Sequence, residues 1–79
     1  MKAKNLAKNQ IVISDLTRRT FVSYGVAIAQ IVMGKVHLDS RYWNYSKTTA
    51  KYRNEFLRET TKETQSKIDS GEYILTDLN

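Results

Sequence analysis

A chain of 79 residues with net charge +5 and no cysteine excludes several classes of protein at once. It is one small domain whose core supplies only about 3–5 kcal/mol, with neither disulfides nor a thiolate-held metal to staple it. Its longest apolar-rich run, Phe21 to Met33, spans 13 residues, too short for a membrane helix of about 20. Self-association is the remaining route to further burial, so a homo-oligomer is admitted.

The N-terminus is basic but is followed by polar residues where a secretory signal needs an apolar core. The chain therefore reads as soluble and cytoplasmic, with no membrane partner. Charge is uneven along it. Residues 1–53 hold ten Lys or Arg and two acids, whereas residues 54–79 hold three basic residues and six acids. A basic front of this kind suits contact with nucleic acid or another polyanion, and also suits a solvated surface that keeps a small domain soluble.

Taken in order, residues 1–9 have no apolar period beyond Leu6 and read as a flexible basic arm; residues 10–79 form the single domain. Gln10–Ser14 is β-branched and short, a strand, and Asp15–Arg19 a turn or strand edge with adjacent arginines. Thr20–Val32 is apolar at both even and odd positions, which suits a central strand covered on both faces, with Gly25 dividing it or marking a bulge. Met33-Gly34-Lys35 turns the chain into the alternating strand Val36–Asp39, a hairpin pattern.

An aromatic loop, Ser40–Tyr45, then leads to a helix capped by Ser46 or Thr48 and running to about Glu59. At 100° per residue, Tyr45, Thr49, Tyr52 and Phe56 share one face, and Lys47, Lys51 and Arg58 the opposite one. Tyr45, Tyr52 and Phe56 are assigned to the core. The run Thr60-Thr61-Lys62-Glu63 is a capping box that opens a second helix, Thr61 to Ser70. Gly71 ends that helix, whose one strongly apolar residue, Ile68, is expected at the edge and largely exposed. Glu72–Thr76 closes as a strand. The expected fold is α+β: a small antiparallel sheet of three to four strands with one or two helices on one face, in the order β-β-β-α-α-β.

Ser23-Tyr24 with Ile28-Ala29, then Tyr42-Trp43, Tyr45-Ser46, Thr48-Thr49, Lys51-Tyr52 and Phe56-Leu57 form a set of fixed spacings. This set resembles a pattern in short, largely uncharacterised proteins of phages and prophages. The resemblance spans about residues 20–58 and implies a phage or mobile-element origin, an accessory role and a host-cell cytoplasmic location. It implies no activity and brings no catalytic residues.

Enzyme signatures are missing: no phosphate-binding glycine loop, no dinucleotide fingerprint and no metalloprotease motif. One histidine, His37, falls on the polar side of a strand as an ordinary surface residue. The expectation is a non-enzymatic protein without cofactor or metal. Its best candidate surface is the stripe Lys47, Lys51 and Arg58, joined by Arg18, Arg19 and Arg41 if the sheet brings them near. Lysines would meet phosphates as point charges and arginines as forks. Trp43, with Tyr42, could stack on unpaired bases, or close the helix–sheet seam, the commoner use of such rings. A helix-turn-helix is disfavoured because the second helix is acidic at its ends. Three functions follow: binding of nucleic acid through the basic helix face; inhibition of a host defence or nucleic-acid-processing protein, in the manner of anti-CRISPR and other anti-defence factors; or a structural or dimerisation module without independent activity.

Overall fold

The computed structural model describes residues 1–79. Five strands, β1 (Lys2–Ala7), β2 (Gln10–Ser14), β3 (Arg18–Ser23), β4 (Val26–Val32) and β5 (Lys35–Asp39), form an antiparallel meander. Helices α1 (Lys47–Leu57) and α2 (Thr61–Asp69) cross back, and β6 (Ile74–Thr76) adds parallel to β5. The result is a six-stranded mixed sheet in the order β1-β2-β3-β4-β5-β6. This overturns the expected antiparallel sheet of three to four strands and its β-β-β-α-α-β order.

Each difference has a local cause. Residues 2–7, read as an arm, pair as edge strand β1; lysines are favoured on edge strands because they resist further pairing, and they hide the strand's apolar period. Thr20–Val32 is not one strand. It contains the end of β3, a two-residue turn at Tyr24 (φ 52°) and Gly25 (φ 78°), and β4. Two positive φ values match a type I′ hairpin turn, whose twist suits antiparallel strands. Met33 (φ 51°) and Gly34 (φ 82°) repeat this geometry between β4 and β5.

The apparent two-sided character of β4 is also local. The β3–β4 register shifts between Phe21 and Val22, and this bulge lets the consecutive residues Ile28 and Ala29 both reach the core, each fully buried. A bulge places two residues opposite one and so breaks alternation. The sheet is covered on one face only.

That covered face carries Val12, Phe21, Ile28, Ala29 and Leu38 against Phe56 of α1 and Tyr73 before β6. Phe21 and Phe56 rings stack at 5.9 Å. The seam also holds a buried hydroxyl pair, Ser23 Oγ to Thr49 Oγ1 at 2.9 Å, pinning β3 to α1. Tyr45, assigned to the core, is 44 % exposed; it precedes the helix, and its ring meets Tyr42 edge to face. Conversely, Ile68, expected to be largely exposed, is half-buried against the core.

Ser46 is the cap of α1, accepting from the Thr49 N–H. Thr60 and Glu63 form the reciprocal capping box of α2. At the far end, the Asn79 carboxamide accepts from the Ala27 N–H at 2.9 Å and donates to its carbonyl at 3.0 Å. Asn79 thus stands in for a strand neighbour where β5 has ended, and it also donates to Asp39. Burial pushes the Asp39 carboxyl up, but N–H donors from Leu78, Tyr42 and Arg41 and the Asn79 amide outweigh it and hold the pKa below the ordinary range. Asn79→Ala removes three of these bonds. It should lower stability in urea denaturation by about 1–2 kcal/mol, since a lost neutral bond costs about 1 kcal/mol and an orphaned partner somewhat more.

Candidate nucleic-acid interface

Of thirteen Lys and Arg, only Lys67 makes an ion pair, with Glu59 at 2.8 Å. The charge excess is therefore not neutralised within the fold. Part of it gathers between the C-terminal end of α1 and strands β1, β2 and β3. There a groove of about 280 Å³ is lined by Lys4, Arg19 and Arg58, with Ser14 and Glu55, over an apolar floor of Leu6, Val12 and Phe56.

The backbone explains each position. The register pairs Lys4 with Val12 and Val12 with Phe21, so Lys4, Arg19 and Phe21 project from the same face of the sheet. Arg58 caps α1 in the left-handed conformation (φ 58°). That twist takes its side chain off the helical pitch and into the groove. Arg19 lies over the Phe56 ring at 5.2 Å, a cation–π contact that presets its direction. Three cations thus face one carboxylate, Glu55.

The expected site residues are only partly assembled. Arg19 and Arg58 meet in the groove. Lys47 and Lys51 stand exposed on α1, away from its buried Thr49, Arg53 and Phe56, and neither lines the groove with Arg58. Arg18 projects from the sheet face opposite Arg19, in register with Val32. Arg41 is exposed in the aromatic loop, its backbone N–H held by Asp39 at 3.1 Å. Lys4 was missed because its segment lacked a strand period.

Trp43 has a different task. It is half-buried, and one ring face is taken by the guanidinium of Arg53 at 5.0 Å. Arg53 is fully buried. It donates to the Trp43 carbonyl and Asn44 Oδ1 from the loop, to Asn54 Oδ1, and to Thr61 Oγ1 of α2. Burial pulls its pKa down, partly offset by Glu59. This cation sits in the basic front of the sequence yet belongs to the interior, and the one available signal is its helical position beside Thr49 and Phe56.

Glu59 is the second polar hub. It accepts from Lys67, Thr64 at 2.6 Å and Tyr73 at 2.7 Å. Burial raises its pKa, but these three donors dominate and leave it lowered. Burial, reinforced by the hydrogen bond to Glu59, lifts the Tyr73 phenol to about 12.

A one-sided α+β sheet with a cation-lined groove is the class of domain defined here. The chain belongs to a family of unknown function (DUF8033), which it matches over residues 1–72. No curated protein and no solved structure matches it. No helix is long and apolar enough to cross a membrane.

Arg53→Met should destabilise by about 3 kcal/mol in chemical denaturation, because the loop, α1 and α2 oxygens lose a shared charged donor. Arg53→Lys should recover only part of this, since an ammonium cannot fork to four acceptors. Glu59 contributes stability above the ordinary glutamate range, and loses it as pH falls through its lowered folded value. Melting temperatures between pH 7 and 3 should therefore drop steeply for the native chain, and less steeply for Glu59→Gln, which starts lower.

Proposed function

We propose that this chain is a small, non-enzymatic, phage-type accessory protein that binds nucleic acid through its phosphates. The observation that carries this reading is the convergence of Lys4, Arg19 and Arg58, none paired with a carboxylate, around one groove. Unpaired cations at fixed spacing bind phosphates and release counterions, and the affinity is paid back by that release. Arginines fork onto phosphate oxygens. The groove is at the small end of ligand clefts, which run from about 300 Å³, so it takes one nucleotide unit of a strand rather than a duplex. Lys47, Lys51 and Arg41 are exposed but lie outside this groove.

A second reading, a protein-binding inhibitor of a host nucleic-acid-processing complex, draws on one observation. Leu16 and Met33, at 103 % and 83 % exposure, are turn-tip residues that a phosphate binder does not need. Affinity capture from host lysate with and without nuclease separates the two, because a stoichiometric protein that survives nuclease favours the inhibitor.

With a fluorescent single-stranded oligonucleotide, three phosphate contacts give a log–log salt slope of about −2, and affinity should fall about 20-fold between 50 and 200 mM salt. Lys4→Ala with Arg58→Ala should bring the slope to about −0.7. No anisotropy change at 50 mM salt with either DNA or RNA would end the proposal.

A further inference from the structure

The face of the sheet opposite the helices is uncovered. The registers place its side chains in three rows. The first is Asn5, Ile11, Val22 and Ala27; the second Ala3, Ile13, Thr20, Gln30, His37 and Ile74; the third Arg18, Val32 and Lys35. An antiparallel sheet with one wet face normally turns polar residues to water. This one turns Ile11, Ile13, Val22, Val32 and Ile74 outward. None of the five belongs to the core or packs against it, and Ile13 and Ile74 are 36 % and 46 % exposed.

Charge narrows the occupant. The chain is 27 % charged, yet the first two rows hold no Lys, Arg, Asp or Glu. A nucleic acid or an anionic membrane would need cations there, and a strongly charged protein would need the opposite charge. An uncharged face, apolar at Ile11, Ile13, Val22 and Ile74 and polar at Asn5, Thr20, Gln30 and His37, is complementary to a copy of itself. Six strands about 4.8 Å apart and five residues long cover roughly 24 by 17 Å. With side-chain relief, two such faces bury on the order of 1,000 Å², at the low end of specific interfaces.

We propose that this chain forms a homodimer by packing the open faces of two sheets. A two-fold axis in the interface, perpendicular to the strands, sets the row of Arg18 and Lys35 against the neutral first row of the second copy. Like charges then stay at opposite edges. Both helical layers face outward, so the dimer presents two grooves on opposite sides. The dimer does not depend on what those grooves bind.

Sedimentation equilibrium of the full chain from 1 to 200 μM on an order-of-magnitude grid should show a shift from 9.2 kDa to twice that mass. Ile13→Glu and, separately, Ile74→Lys should raise the dimer dissociation constant at least tenfold, with the far-UV circular dichroism of the native chain. Because the chain lacks cysteine, a nitroxide on Met33→Cys, in an exposed turn outside the packed rows, gives a readout independent of those variants. Sheets packed about 10 Å apart should hold two labels within dipolar range. A native chain that stays monomeric throughout, a folded Ile13→Glu that still dimerises, or the absence of dipolar coupling at high concentration overturns the proposal. A monomer that co-floats with phosphatidylcholine vesicles also overturns it and assigns the face to lipid.

Discussion

The buried guanidinium of Arg53 is the constraint on which the helical layer depends. It has no carboxylate partner and is met by neutral oxygens from three segments and by one face of Trp43. A desolvated charge tolerates few arrangements, because each unfilled donor costs more in the interior than in water. Its Nε still lacks a partner, as does the amide of fully buried Gln10. The joint therefore trades stability for a defined angle between the aromatic loop, α1 and α2. Just beyond this joint, Arg58 turns into the groove through its own left-handed cap.

Charge in this chain is sorted by depth and by face. One cation is interior, one is neutralised by Glu59, and three, Lys4, Arg19 and Arg58, converge in the groove between α1 and the sheet. The opposite face has almost none. A molecule this small cannot bury enough surface to be strongly stable, and its apolar core comprises seven buried residues. The groove cations and the outward-facing isoleucines and valines thus stand on opposite sides of one sheet.

Much of the helical half was legible in the sequence. Ser46, the Thr60/Glu63 box and Gly71 signal their positions through side-chain and backbone chemistry that acts within three or four residues. The sheet was less legible. Lys2–Ala7 pairs because β2 offers a free edge, a tertiary reason that leaves no local period. Ile28 and Ala29 break alternation at a bulge and so imitate a strand covered on both sides. The Tyr24-Gly25 turn was hidden because an aromatic residue occupies a left-handed position that Asn or Asp more often fills. Of the candidate site, Arg19 and Arg58 were legible as exposed cations. Their meeting with Lys4 was not, because it needs the β1 register and the left-handed cap.

The parallel pairing of β6 with β5 has a kinetic consequence. Each hairpin of the meander closes a loop of two or three residues, whereas His37 meets Ile74 only after the whole helical crossover has been spanned. Loop-closure entropy and sequence separation both slow such a contact. Ordering of the chain thus begins in the N-terminal ribbon and ends with the C-terminal strand, which docks as a latch. The same strand is the element with the fewest pairings to break, so partial opening of the native state starts from that side of the sheet.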